Sequence, residues 1–364
     1  MELWFVLVVA VAIAIAASYK AVDRYSTIRP LPLLLSPPVP LIGPFAPNSL
    51  LLTHLHRIGD GLLPSPEDVV VDAQGFLFVG CSDGWIKRIH PKSDFVEDWV
   101  FLGAGHSPLG LVLGRHGELI VCDPDVGLLN VTKDKVEVLS QEAEGVKFML
   151  TDAAAVSMED GSIYFTDATD KYPFAHHIND LMEARPNGRL LKYDEVTRIT
   201  TVLMDHLYFA NGVVLSSNED FLVVCETVMA RCQRYWLKGE KKGRFEIFID
   251  RLPAYPDNIK SDGKGQFWIA LVGARPFYMD WAMRSPFLKQ LQQVLGLTDV
   301  FLKRLNKRAL VLTVTEDGEP LRTLADPTGD AIKSVTTAYV VGDNLYLGNL
   351  GENFLGHVKL NKTI

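Results

Sequence analysis

One phrase, repeated along the chain, limits the fold more than any other feature. Its clearest copy is Tyr255-Pro-Asp-Asn-Ile-Lys-Ser-Asp-Gly-Lys-Gly-Gln-Phe-Trp-Ile-Ala-Leu271. A Gly-rich turn at Asp262 to Gly265 is followed by an apolar, aromatic run suited to a pleated strand. The same order of apolar strand, turn and apolar strand recurs at Pro66 to Val79, Pro108 to Val121, Thr151 to Phe165 and Asn211 to Val224, and more loosely at Val335 to Leu347. Turn-to-turn spacing is close to the roughly 40 to 50 residues of a four-stranded propeller blade, except after the third and fifth copies. The expectation is an all-β, six-bladed β-propeller. A β-sandwich would need six aligned phrases to arise by coincidence.

A chain of 364 residues is long enough to bury such a ring as one domain. The formal net charge of −8 leaves no basic stripe, which excludes a nucleic-acid partner. The four cysteines, Cys81, Cys122, Cys225 and Cys232, have no metal-type spacing. Cys225 and Cys232 could face each other across a hairpin, but the expectation is two buried thiols.

Leu3 to Ala17 is uninterrupted apolar sequence, short for a span of about 20 residues and suited to a signal-peptide core. Ala14-Ile-Ala16 offers a cleavage pattern. Glu2 before the run, with Lys20 and Arg24 after it, fits an uncleaved anchor equally, so residues 1–24 read as signal peptide or signal anchor. Both readings place the chain in the secretory pathway (endoplasmic reticulum, vacuole or extracellular), and the anchor reading adds membrane contact through residues 3–17. Asn130-Val-Thr132 and Asn361-Lys-Thr363 are N-glycosylation sequons. Residues 25–47 are Pro-rich and read as an extended linker. Ser49 to Leu55 reads as a strand that pairs into the last blade, leaving 48–364 as the propeller.

Two insertions interrupt the ring. The first, 170–186, carries His176 and His177; neighbours rarely share a face, so they read as loop histidines or a substrate rim rather than a metal pair. The second, 273–308, mixes apolar and basic residues at helical spacing over Trp281 to Gly296 and again over Val300 to Arg308. It reads as a helical cap on the propeller. The other reading is a lid over the axial cavity that touches a membrane surface.

The innermost strand of each blade lines the central channel, so the residues that open each phrase converge on one axis. These are Glu67 and Asp68, Leu109, Thr151 and Asp152, Asn211, Asp257 and Asn258, then Val335 and Thr336. Such a ring of carboxylates and carboxamides is costly to bury without a compensating positive charge. Oxygen donors with no Cys or His set point to Ca²⁺ rather than zinc. The alternative is that they are strand-start residues bonded to backbone amides.

Several phrases in order, Ser65-Pro-Glu-Asp68, Phe209-Ala-Asn-Gly-Val213, Phe221-Leu-Val-Val-Cys-Glu-Thr227, Arg231-Cys-Gln-Arg-Tyr-Trp-Leu237 and Tyr255-Pro-Asp-Asn258, resemble the plant strictosidine synthase-like proteins. The resemblance runs from about Pro47 to the C-terminus. The wider superfamily includes the paraoxonases, the gluconolactonase/regucalcin group and an adipocyte membrane-associated arylesterase. Carried over from the paraoxonases, it implies a catalytic calcium held by Glu67, Asn211, Asp257 and Asn258, with Thr151 in place of a further Asn. It also implies a second, structural calcium at Asp68 and Asp152.

The departures bear on function. The acid–base Glu of strictosidine synthases aligns with Thr336, near Ser334 and Thr337, and a hydroxyl with a pKa far above neutral is no substitute for a tuned carboxylate. The paraoxonase catalytic His aligns with Leu109; His106 lies nearby, outside the channel. The leading expectation is therefore a calcium-dependent ester or lactone hydrolase of the secretory pathway, acting on a small molecule, with Asp257, Glu67, His177 or His206 as base. A specialised-metabolite condensing enzyme with a different acid–base residue is the second reading. A non-catalytic luminal binding propeller, for example in pollen-wall formation, is the third.

Overall fold

Each repeated phrase forms the two inner strands of a four-stranded antiparallel sheet, and six such sheets close into a ring. The computed structural model describes residues 2–298 and 308–360. The innermost strands are Val69–Val71, Leu111–Leu113, Thr151–Val156, Ala210–Leu215, Ala254–Ser261 and Val335–Val341 for blades 1 to 6. The fold is the expected six-bladed propeller. Every seam between adjacent blades has its own apolar core: Ile58 and Leu355 against Val69 and Leu77 between blades 6 and 1, for instance, and Val223 and Phe221 against Phe267 and Ile259 between blades 4 and 5.

The ring closes with strands from both ends of the chain, but not with the residues expected. Leu50–His54 is a short helix, and the closing strand is His56–Ile58, which pairs with Leu355–Lys359 in the register His56↔His357. The leucine run favours a helix once Asn48 Oδ1 accepts from Leu50 N (3.2 Å), and Leu51 alone is buried, in the core of blades 5 and 6. A second correction concerns the thiols. Cys225 and Cys232 are direct register partners in the hairpin of blade 4 and form a disulfide. A separation of seven residues around the 227–230 turn places them opposite each other, a pairing that the strand register dictates. Cys81 and Cys122 are buried free thiols.

Among the described residues the α-helices are α1 (Glu2–Tyr25), α2 (Leu50–His54), α3 (His177–Glu183), α4 (Phe277–Met283) and α5 (Pro286–Val294). Among the described residues no helix is long and apolar enough to cross a membrane. The helices α3, α4 and α5 belong to the two insertions and roof one end of the channel; Val300 to Arg308 falls mostly outside the described residues, as does Asn361. Asn130 lies in the third strand of blade 2, paired with Ile120 and Glu137. The Pro-rich stretch is extended but fastened along its length: Leu31 N donates to Glu183 O, Leu33 N to Met283 O and Val39 N to Arg251 O. Arg275 Nη2 and Lys289 Nζ donate to the Ser36 and Leu31 carbonyls (2.6 and 2.5 Å). Ile28, Leu33 and Leu35 are buried beneath it.

Two devices aim residues at the axis. The inner strands of blades 3, 4, 5 and 6 change register between Thr151 and Ala154, Ala210 and Val213, Pro256 and Ile259, and Val335 and Thr337. Each bulge re-aims the side chains of the residues it spans. Glycines then let neighbouring inner strands approach: a Cβ on Gly212 would lie 2.5 Å from Ile259 N and 2.6 Å from Asp257 O, and one on Gly348 would lie 2.1 Å from Glu67 O. Both contacts are with backbone that carries channel residues. Gly212→Ala is expected to cost about 3 kcal/mol in denaturant unfolding, as overpacking against a fixed backbone does, and to weaken any ion binding at Asp257 and Asn258. A stability within about 0.5 kcal/mol of wild type, the range of neutral surface changes, would disprove the close-approach role.

Candidate metal and substrate site

The bulges and seams place Glu67 (blade 1), Asp152 (blade 3), Asn211 (blade 4) and Asp257 (blade 5) on the floor of an axial cavity of about 180 Å³. Asn258 lies beside them, and all five are nearly inaccessible, between 1% and 5% exposed. Asn258 Nδ2 donates to Glu67 Oε1 (2.9 Å). The Asn211 carboxamide bonds to the Asp257 carboxylate. Each amide thus spends its N–H₂ on a carboxylate and leaves its oxygen free.

Three buried oxygens have no partner: Glu67 Oε2, Asn211 Oδ1 and Asn258 Oδ1. They come from three different blades. A buried polar atom without a hydrogen bond costs about 1–3 kcal/mol, so three in one cluster are a strong indication of something that fills them. The donors are hard oxygens, the set that suits Ca²⁺. Among the described residues no group of three His, Cys, Asp or Glu is arranged to hold a metal; the donors here are half carboxamide, one Glu and one Asp with two Asn. Glu67, Asn211, Asp257 and Asn258 fit the cation that the sequence implied.

Electrostatics point the same way. Burial, then the negative fields of Asp257, Asp68 and Asp152, hold the Glu67 carboxyl well above the usual carboxylate range, with Lys260 opposing. Burial and then Asp152 do the same to Asp257, against the Asn211 bond. Asp152 is pushed up to about 7 by burial, then by Asp68 and Asp167.

Other expected residues lie elsewhere or are already bonded. Thr151 Oγ1 donates to Asp123 O (2.6 Å), so its hydroxyl turns to the blade and does not line the cavity. Thr336 Oγ1 donates to Glu67 O (2.6 Å) and is fully buried, which removes it as an acid–base candidate. His206 is on the outer rim, 76% exposed and paired with Asp205 at 2.8 Å, so it is not a channel base. His106 bonds the buried Asp123 carboxylate (3.0 Å) outside the cavity. Asp68 accepts four protein donors: Val69 N, Leu111 N, Thr337 Oγ1 and Lys260 Nζ.

His177 does reach the cavity wall, beside Phe174, Phe209, Tyr255 and Met283. Its ring stacks on Phe174 with centroids 5.3 Å apart, and Nδ1 bonds Phe174 O at 2.7 Å. That bond fixes the proton on Nδ1 and leaves Nε2 as an acceptor. Burial lowers the pKa, partly opposed by the Phe174 carbonyl, so the ring is neutral at pH 7. Leu109, Leu150, Ile178, Val228 and Met279 make the rest of the wall apolar. Sequence reasoning passed over Lys260, although it stands two residues beyond Asn258 in the same phrase, and over the methionines of α4.

The fold and site together define a six-bladed propeller with an axial oxygen-donor cluster beneath a lidded, apolar cavity. The chain belongs to the strictosidine synthase-like family. Residues 152–240 match the strictosidine synthase model and 43–89 the strictosidine synthase-like N-terminal model. Protein STRICTOSIDINE SYNTHASE-LIKE 4 of Arabidopsis thaliana is 40% identical over 86% of this chain and 84% of its own. The adipocyte plasma membrane-associated protein of Bos taurus is 33% identical over 92% and 85%. Among solved structures, a gluconolactonase from Xanthomonas campestris superposes with a TM-score of 0.61 at 14% identity, covering 91% of this chain and 98% of that one. The calcium-binding protein regucalcin of Agrobacterium tumefaciens gives 0.58 at 13%, over 83% and 92%. At those identities the structural likeness speaks for the fold alone.

A pH experiment tests the acidic cluster. The Asp152 pKa rises from 3.8 to about 7 on folding, so its contribution is present below about pH 4 and lost as pH rises through 7. Asp167, pushed up to about 6 mainly by burial, adds the same sign. In chelator, the melting temperature is expected to fall between pH 4 and 7. Asp152→Asn should flatten part of that fall, and calcium should reduce it; a melting temperature that rises over this range contradicts the assignment.

Proposed function

We propose that the chain is a calcium-dependent hydrolase of esters or lactones. The observation that carries this reading is the set of three unpartnered buried oxygens at the floor of an apolar cavity. Glu67, Asn211, Asp257 and Asn258 would hold the ion, which supplies Lewis acidity toward a carbonyl oxygen. The apolar walls hold the body of the substrate and exclude water. His177 Nε2, neutral and unprotonated, would take the proton from the attacking water and return it to the alkoxide that leaves as the acyl C–O bond breaks. Thr336 being bonded to Glu67 O disfavours the condensation reading.

The test is hydrolysis of phenyl acetate and a lactone panel by the full chain, with calcium and after chelation. Turnover is expected to need calcium and to drop at least about 100-fold, the scale of a lost catalytic group, in His177→Gln with calcium affinity unchanged. Asn211→Ala should lose calcium affinity and turnover together. Chelator-resistant turnover overturns the reading; calcium and lactone binding without turnover moves it to the luminal binding protein.

We further propose that the propeller lies in the secretory pathway with its lid against a membrane surface. The Cys225–Cys232 disulfide suits an oxidising compartment. Helix α4 is apolar on both faces: Met279 and Met283 line the cavity while Phe277 and Trp281 face outward, 84% and 64% exposed. Aromatics at such a surface are typical of a membrane interface. Phe277→Ser/Trp281→Ser is expected to slow hydrolysis of a long-chain ester dissolved in phosphatidylcholine vesicles at least fivefold, leaving soluble phenyl acetate unaffected. Equal effects on both substrates would contradict lipid contact.

A further inference from the structure

We propose that Lys260 is a built-in cation of the channel, occupying the place of a second metal ion, so that this chain holds one divalent cation and no more. The inference rests on the reading of Glu67, Asn211, Asp257 and Asn258 as an ion site.

Asp68 is the carboxylate from which a second ion would have to be built, and it has no capacity left. It is fully buried. Its Oδ1 accepts from Val69 N (2.9 Å) and Thr337 Oγ1 (2.8 Å); its Oδ2 accepts from Leu111 N (2.8 Å) and Lys260 Nζ (2.6 Å). Four donors fill the lone-pair sites of a carboxylate. Lys260 Nζ also donates to Leu111 O at 3.3 Å. A carboxylate oxygen and a backbone carbonyl are the donors a hard cation would take, and here an ammonium takes them.

The placement makes Lys260 a tie as well as a charge. It leaves the inner strand of blade 5, crosses the channel and ends between blades 1 and 2, with Thr337 of blade 6 on the same carboxylate. Its side chain is 13% exposed, and its ammonium is within range to act on Glu67. Lys260 serves one level of the channel, whereas Glu67 Oε2, Asn211 Oδ1 and Asn258 Oδ1 at the other have no protein donor. The two levels therefore differ in kind: one is closed by the chain itself and the other is left for an ion.

Counting ions tests this without reference to activity. Native mass spectrometry and equilibrium dialysis of the full chain against Ca²⁺ are expected to give one ion in the wild type and none in Glu67→Gln/Asn211→Ala. Lys260→Met keeps the length of the stem and removes the charge; it should gain one ion and a calcium-dependent rise in melting temperature beyond that of wild type. Two ions in the wild type, calcium retained by Glu67→Gln/Asn211→Ala, or no gain in folded Lys260→Met overturns the proposal. No ion in the wild type with one in Lys260→Met would sink the Glu67 site and leave the role of Lys260 standing. If Lys260→Met fails to fold, the counts for the wild type and for Glu67→Gln/Asn211→Ala still decide.

Discussion

Four carboxyl groups, those of Glu67, Asp68, Asp152 and Asp257, are held around one axis with almost no exposure to solvent. This is the constraint to which the rest of the structure answers. Like charges at such range in a poorly polarisable interior are far more expensive than at a surface. The bulges on four inner strands and the glycines at the seams make the convergence sterically feasible, and they do so at a cost in regular pairing. A fold shaped only for stability would put apolar side chains there. The channel is instead compensated in two ways, by a lysine, one hydroxyl and two backbone amides around Asp68 and by carboxamides that bond Glu67 and Asp257 with their nitrogens only.

The ring itself was legible in the sequence because each blade is anchored by a turn with glycine or acidic residues, followed by an apolar strand. The period of those turns depends on local chemistry. What was not legible depends on distant partners. Leu50–His54 looks like a strand by composition, and becomes a helix because Asn48 accepts from its first amide while Leu51 is buried in the distant core of blades 5 and 6. The Cys225–Cys232 bond follows from a register that separation alone does not specify. Thr151 and Thr336 sit on the inner strands of blades 3 and 6, but each hydroxyl is turned to a backbone carbonyl, that of Asp123 and that of Glu67. Lys260 was missed for the complementary reason: a long basic side chain in a strand normally reads as solvated, and only the fold brings Asp68 within 2.6 Å of it.

Above the floor, the polarity of the cavity changes abruptly. Oxygen donors occupy the base, and side chains such as Leu109, Phe209, Val228 and Met283 occupy the walls. A ligand that satisfies both must carry one polar, oxygen-bearing group on an apolar body. The roof adds a further condition, because it is not made by the propeller alone. Glu183 at the end of α3 accepts from Arg29 N (2.6 Å) and Lys171 Nζ (2.5 Å), and α4 and α5 bond the carbonyls and amides of the 26–39 stretch. Tyr19 of α1 stacks on Phe287 of α5. The lid is therefore fastened to the N-terminal segment as firmly as to the blades from which it grows.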